Sequence, residues 1–322
     1  EVHDTQVNAR VALKWLRNSD ASTLARFKRE FRSLADLTHP NLVGFRELLT
    51  VAGEWFFTMD LVEGIDLLRY VRPTTPVGPN TYSQASTSLA ADEAPSTNTI
   101  QINPNPLTPA RLNPKRNQDV QIEGHRPLCA ADLRRVRSTL EQLGGGLEAL
   151  HAAGMIHRDI KPSNVLVTRE GRVVILDLGL VTEIGGDGLA LTKTNNIVGT
   201  PAYMSPEQAM GAAATPASDW YSVGVILYQA LTGRLPFDRD PRTILVQKQF
   251  QEAPNPSELV RGVPKALADL CTDLLSRVPE RRPTASVFLE RLRQAVPLER
   301  APSEIMTPRT AARSSPPRGF VG

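Results

Sequence analysis

The sequence predicts an α+β protein of two unequal parts, a small β-rich N-terminal portion and a larger, mainly α-helical C-terminal one. Three observations carry this. Short apolar runs of strand character flank one amphipathic helix within the first 60 residues. Helical periodicity dominates beyond Ser218, and a long stretch poor in apolar residues separates the two regimes. At 322 residues, 41% of them hydrophobic, the chain has the length and composition to bury a sizeable core.

Each element has its own signal. Residues 9–16, Ala-Arg-Val-Ala-Leu-Lys-Trp-Leu, read as a strand. From Ala21 to Leu37, Leu24, Phe27, Phe31 and Leu34 recur at three- and four-residue steps, one face of a helix that His39-Pro40 ends. Leu42–Leu49 and Trp55–Leu61, separated by Ala52-Gly53-Glu54, read as a strand pair. From Pro73 to Pro127 the chain is rich in Pro, Thr, Ser and Asn with no sustained period. Such a stretch buries too little surface to offset its ordering entropy, so a disordered insertion is expected there. Leu133, Val136, Leu140, Leu143, Leu147 and Leu150 trace a long buried helix. Asn164–Thr168 and Val173–Leu178, around Glu170-Gly171, predict a hairpin; the Pro-, Ser- and Arg-rich tail from Pro297 is expected to be flexible.

Charge and cysteine content exclude several classes. Lys and Arg number 37 against 34 Asp and Glu, a net +3 that steers nucleic acid weakly, so no nucleic-acid partner is expected. Arg281, Arg282, Arg291 and Arg293 alternate with Glu280 and Glu290, which reads as a solvated face. Two cysteines, Cys129 and Cys271, supply neither a disulfide framework nor a four-cysteine zinc site, and a cytoplasmic location is expected. The most apolar run, Val173–Val181, contains Asp177 and is too short to span a bilayer. No signal peptide is expected either, since Glu-Val-His-Asp opens the chain without a charged and apolar leader.

One segment concentrates chemistry. Residues 157–164 read His157-Arg158-Asp159-Ile160-Lys161-Pro162-Ser163-Asn164, and Asp177-Leu178-Gly179 begins 13 positions after Asn164. A carboxylate five residues ahead of a carboxamide on a turning loop can share a site with a metal held by that amide. Asp177 offers the hard anionic oxygen that Mg²⁺ prefers, and Asn164 a neutral one. Alone, an Asp-x-Gly triplet is ordinarily a turn; it is the combination that points to catalysis.

Together these segments resemble the catalytic loop and magnesium-binding motif of the protein kinases. Val11-Ala12-Leu13-Lys14 resembles the family's lysine-bearing strand, and Gly199-Thr200-Pro201-Ala202-Tyr203-Met204-Ser205-Pro206-Glu207 the end of its activation segment. The four pieces stand in the family's order, and the resemblance covers about residues 1–295 apart from the insertion. It implies the two-lobed protein-kinase fold. A partial N-lobe would run over 1–60, hinge and C-lobe over 61–296 with the insert at 73–127, and a linker over 297–322.

The resemblance also implies roles. Asp159 would orient the acceptor hydroxyl as catalytic base, and Lys161 would stabilise charge on the transferring phosphate. Lys14 would hold the α- and β-phosphates of ATP, steadied by Glu30. Asn164 and Asp177 would bind Mg²⁺, with Mn²⁺ as the alternative metal. Met59 stands at the gatekeeper position, the Asp60 carbonyl and Val62 amide would pair with adenine, Ala12 and Leu166 would enclose its ring, and Asp66 would reach the ribose. Leu34, Phe45, His157 and Leu178 would form an inner column anchored by Asp219, and Glu207 would pair with Arg282. Arg158 would meet a phosphate on the activation segment, where Thr192 and Thr194 are the expected acceptors and Thr200 would bond Asp159 and Lys161. Leu178 replaces the family's usual Phe.

Lys161 with Gly199-Thr200-Pro201 resembles Ser/Thr kinases, and Met204-Ser205-Pro206-Glu207-Gln208 the bacterial, Hanks-type branch. The expected function is therefore a Ser/Thr protein kinase with protein substrates and self-association for trans-autophosphorylation. The family's glycine-rich loop should precede Val11, yet residues 1–10 contain no glycine, so the chain is expected to be truncated ahead of the lysine-bearing strand. That absence keeps open a pseudokinase-like regulatory or interaction module. A small-molecule phosphotransferase is a third reading, opposed by the activation segment, which in the family positions polypeptides. Arg318-Gly319-Phe320-Val321-Gly322 resembles the opening of a fused AAA-type ATPase module.

Overall fold

A computed structural model describes residues 1–4, 8–16, 21–73, 128–178, 201–237 and 241–296. The expected insertion beyond Pro73, the tail from residue 297, Gly179, Thr192, Thr194 and Thr200 lie outside the described residues.

Strands β1 (Val2–Asp4), β2 (Ala9–Leu16), β3 (Phe45–Val51) and β4 (Glu54–Asp60) form an antiparallel sheet in the order β1-β2-β4-β3. Helix α1 (Ala21–Ala35) lies between β2 and β3 in sequence. Its three- and four-residue apolar spacing has a concrete outcome: Phe27 and Phe31 meet Phe45 of β3 and Phe57 of β4 in an aromatic cluster, ring centroids 5.6–6.0 Å apart. Each such pair adds about 0.5–1.5 kcal/mol beyond area burial. The α1–sheet union is thus held by packing.

The strand expected from Leu42 begins only at Phe45. Residues 41–43 are spent elsewhere. The Val43 N–H donates to the Ile175 carbonyl at 3.0 Å and the Ile175 N–H to the Asn41 carbonyl at 2.8 Å, which stitches the first sheet to the C-terminal part. The Asn41 Nδ2 donates to the Val173 carbonyl (2.7 Å) and to Gln142 Oε1 (3.1 Å), fixing the seam with a buried side chain.

After β4 the chain crosses at residues 61–64 into a second sheet, order β5-β6-β7, of β5 (Ile65–Asp66), β6 (Val165–Val167) and β7 (Val173–Ile175). Gly64 is needed here, because a Cβ would stand 2.8 Å from the Val167 carbonyl oxygen. Asp66 accepts from the Arg69 N–H at 2.9 Å and caps α2 (Leu67–Val71).

Helix α3 (Ala130–Ala152) buries Val136, Leu140, Leu143, Leu147 and Leu150. Then follow α4 (Pro206–Ala209), α5 (Pro216–Thr232), α6 (Pro241–Phe250), α7 (Pro256–Leu259), α8 (Lys265–Leu274) and α9 (Ala285–Ala295). Helix α5 is buried nearly all round, which explains its nearly continuous apolar sequence from Val223 to Leu231. The α+β expectation holds, with a β-rich N-terminal part and a helical C-terminal part. Among the described residues no helix is long and apolar enough to cross a membrane.

Candidate active site

The site lies where β2, the 157–164 loop and the end of β7 converge. A buried carboxylate sets the loop's shape. Asp219, 1% exposed near the start of α5, accepts the N–H groups of His157 (2.9 Å) and Arg158 (2.8 Å) and meets His151 Nε2 at 2.8 Å. The His157 ring, fully buried, donates through Nε2 to the Leu176 carbonyl (2.7 Å), and its Nδ1 accepts from the Asp159 N–H (3.3 Å). These two bonds together select the Nε2-protonated tautomer. Arg158 adopts a left-handed backbone, φ +68°, at the turn into Asp159.

Asp159 is gripped from its own loop. Its Oδ2 meets Lys161 Nζ at 2.8 Å and accepts from Asn164 Nδ2 at 3.0 Å; the same Nδ2 donates to the Asp159 carbonyl at 2.8 Å. Asn164 sits in the 3-10 turn Pro162–Asn164, and its own carbonyl accepts from the Leu176 N–H at 2.8 Å. That bond ties the loop to the strand leading to Asp177. Asp177 is itself left-handed, φ +50°, and its Oδ1 lies 2.7 Å from Lys14 Nζ on β2. Both side chains are about one-third exposed, so solvent reaches the pair.

Lys14 pairs here with Asp177, while the partner expected for it is Glu30. Glu30 is half-buried on α1 and makes no ion pair among the described residues. The physical reason is that α1 takes its place from Phe27 and Phe31 in the aromatic cluster, whereas the left-handed turn carries Asp177 directly to the ammonium.

The remaining residues fall around this centre. Ala12 of β2 pairs with Met59 of β4, and Val11 with Asp60. Asp60 Oδ1 accepts from Arg46 Nε at 2.8 Å. Val62 is half-buried in the crossing segment, and Asp66 pairs with Leu166 across β5 and β6. Leu34, Phe45, His157 and Leu178 are all buried. Glu207 receives Arg282 on both oxygens at 2.7 Å and the Ser218 hydroxyl at 2.8 Å. Burial works against the charged form of Glu207, but Arg282 outweighs it and holds the carboxyl below its ordinary value.

A magnesium ion fits the donor set. The Asn164 amide nitrogen is spent on Asp159, which leaves its oxygen as the neutral donor that a metal would take, and Asp177 would supply the charged oxygen. Among the described residues there is no group of three or more His, Cys, Asp or Glu that could hold a metal ion by itself.

Sequence reasoning missed one buried cation. Lys248 of α6, 1% exposed, donates from Nζ to the carbonyls of Pro201 (2.6 Å), Ala202 (3.1 Å) and Met204. Burial pulls it down to about 7 against the opposing field of Glu207. No motif marks it; only burial of a lysine could have.

The profile of the family described as "Protein kinase domain" matches residues 122–292, and that of the "Phosphotransferase enzyme family" residues 2–182. The chain is 32% identical over 318 residues to the serine/threonine-protein kinase pkn3 of Myxococcus xanthus, covering 95% of this chain and 48% of that protein. It is 32% identical over 264 residues to the probable serine/threonine-protein kinase PknB of Lactococcus lactis, covering 81% and 33%. With the serine/threonine-protein kinase PknA of Mycobacterium tuberculosis it shares 30% over 290 residues, covering 88% and 54%. The kinase domain of Mycobacterium tuberculosis PknI superposes with a TM-score of 0.54 over 88% of this chain and 84% of that one, at 19% identity, and shows the same fold. The chain belongs to the protein kinase domain family, on the side of the bacterial Hanks-type Ser/Thr kinases. It spans about a third to a half of the length of these relatives.

Proposed function

We propose that this chain is the catalytic domain of a Ser/Thr protein kinase that transfers the γ-phosphoryl group of ATP to a polypeptide hydroxyl. The observation that carries this is the Asp159 carboxylate, held by Lys161 and Asn164 on a loop that the Asn164 carbonyl ties to Leu176, next to Asp177, the partner of Lys14. Phosphoryl transfer has little covalent chemistry for a protein to perform, so positioning and charge neutralisation dominate. Asp159 orients the acceptor hydroxyl and receives its hydrogen bond. Lys161, 2.8 Å from it, stabilises charge on the transferring phosphate. Lys14 exchanges Asp177 for the α- and β-phosphates, while the Asp60 carbonyl, the Val62 amide, Ala12, Leu166 and Asp66 hold the nucleoside. Asn164 and Asp177 hold Mg²⁺ or Mn²⁺, which supplies charge neutralisation at the phosphates when bound.

Convergence of these charged groups speaks for transfer over a purely regulatory module. The Phosphotransferase enzyme family match over residues 2–182 favours a second reading, transfer to a small molecule. Against it, the segment from Pro201 to Glu207 is built against the catalytic loop, where Gln208 Nε2 donates to the Arg158 carbonyl at 3.1 Å. We further propose a cytoplasmic location, self-association for trans-autophosphorylation, phosphate acceptors at Thr192 and Thr194 with Thr200 completing the loop, and an AAA-type module beyond residue 322 as the fused partner.

The test is phosphorylation of casein and of the chain itself with Mg-ATP, sites mapped by mass spectrometry. Asp159→Asn is expected to cut transfer by about 10²–10⁴-fold, with nucleotide affinity changed by less than about twofold. Undiminished transfer by the variant would remove Asp159 from the mechanism. Phosphate appearing on a sugar or aminoglycoside but never on protein would favour the small-molecule reading.

A further inference from the structure

We propose that Lys248 is a positioning residue for protein acceptors, anchoring residues 201–204 from beneath so that their outer side can hold a polypeptide beside Asp159. The inference rests on the protein-kinase reading above. It starts from an accounting of backbone oxygens. The carbonyls of Pro201, Ala202 and Met204 accept from Lys248 Nζ, and the carbonyl of Tyr203, between them, accepts from the Ser222 hydroxyl of α5 at 2.8 Å. Four consecutive carbonyls are thus drawn inward by side chains of two helices. Among the described residues, the N–H groups of Ala202, Tyr203 and Met204 donate to no acceptor. Within the described residues these amides are left for another partner, and the main-chain carbonyls of an extended acceptor are their complement.

The anchor is chemically specific. An ammonium is a compact three-way donor, and three carbonyls converge on it. Among the described residues Lys248 makes no ion pair; Glu207 acts on it through space, and Nζ lies 5.4 Å from the Tyr221 ring, which also meets Arg282 at 5.1 Å. Its burial is not a matter of helix hydrophobicity, since Val246 and Phe250 of the same helix are 56% and 74% exposed. The segment it holds leads into the Ser205–Gln208 capping box of α4, and Gln208 reaches the Arg158 carbonyl of the catalytic loop. Tyr203 is pinned as well, its hydroxyl donating to Gln229 Oε1 at 2.6 Å. Loosening Lys248 therefore frees the acceptor-facing segment at one end of a contact chain that terminates one residue from Asp159.

Two readouts decide it, both on the full chain. The first is hydrogen exchange by mass spectrometry, comparing the wild type with Lys248→Met. Exchange in residues 205–209, where the amides of Ser205, Gln208 and Ala209 are hydrogen-bonded, is expected to rise about tenfold or more, with α5 and α8 keeping their protection. Unchanged exchange in 205–209 would overturn the proposal, and so would a rise spread over α5 and α8, which would make Lys248 a residue for folding alone. If Lys248→Met does not fold, Lys248→Gln, which keeps two N–H donors, carries the same measurement. The second readout is steady-state phosphorylation of casein. The KM for casein is expected to rise about tenfold, the equivalent of one lost hydrogen bond, with the KM for ATP unaltered. Equal changes in both KM values would overturn the assignment. Should the wild type transfer no phosphate, the kinase reading fails by itself while the exchange experiment still decides the anchor.

Discussion

Arg282 spends its guanidinium on Glu207 twice at 2.7 Å, on the Ala217 carbonyl at 2.8 Å and on the Ser276 carbonyl at 2.9 Å. Removing one partner of such a buried pair leaves the other charge uncompensated, which costs about 3–5 kcal/mol. Arg282→Ala is therefore expected to lower the urea midpoint by that equivalent; a loss below about 1 kcal/mol would place the pair in the class of exposed bridges. The pair also sets a pH dependence. Glu207 titrates lower in the folded chain than its ordinary 4.5, so its stabilisation is present above 4.5 and is lost as pH falls through the lower folded value. Stability curves of the wild type and Arg282→Met should consequently differ most near neutrality and converge on the acid side of 4.5. Parallel curves down to pH 3 would contradict this. At this scale the catalytic loop was legible because eight contiguous residues carry its chemistry. Lys248 was not, because a lysine in a helix ordinarily faces water and its three acceptors lie more than 40 residues away.

The three consecutive glycines of α3 show how an element converts the same residue into different constraints. A Cβ on Gly146 would meet Ile175 Cδ1 at 2.8 Å and Asn41 Cβ at 3.2 Å, where the interlobe seam crosses the helix. On Gly144 it would stand 3.1 Å from Phe288 and Leu289 of α9, while on Gly145 the nearest atom, from His39, is 4.0 Å away. Gly146→Ala is expected to cost about 1–3 kcal/mol through overpacking. Gly145→Ala should instead stabilise by about 0.5–1 kcal/mol, since alanine favours the helix. Thermal melts of the two variants should shift in opposite directions; destabilisation of equal size in both would refute the packing account. In the sequence the three glycines stand side by side within one helical pattern. Which of them is tight could not be read, because that depends on what crosses the helix. Helix α6 makes the same point: Ile244 and Lys248 face inward, four residues apart, while apolar Val246 and Phe250 face outward.

For the whole molecule, the question is what joins its two parts. Helices α2 and α3 flank the segment from 74 to 127 and pack on each other, with Arg135 donating to the Tyr70 carbonyl at 3.3 Å. Arg72 at the end of α2 reaches the carbonyls of Ala230 and Leu231 on α5 at 2.9 and 3.2 Å. Contacts on both sides of the cut are therefore already made within the core. Replacing Pro76–Arg126 by a short Gly-Ser link is expected to shift the melting temperature by less than about 4 °C, the equivalent of roughly 1 kcal/mol. A drop several times larger would show that the segment contributes to the core.

Taken alone, the sequence determined the longer elements, the α+β class and the family, since local periodicity and contiguous motifs record these directly. It also named Lys14, Asp159, Lys161, Asn164 and Asp177, which the structure pairs as Lys14 with Asp177 and as Lys161 and Asn164 with Asp159. Only the tertiary structure decided who pairs with whom. Lys14 has two carboxylates to choose from and takes Asp177, because aromatic packing places α1 while a left-handed turn delivers Asp177 to the ammonium. Leu42 and Val43 leave their expected strand because β7, some 130 positions away, offers them partners. Lys248 finds three carbonyls across the fold. Such choices turn on distances between residues remote in sequence, and periodicity along a single element carries no information about them.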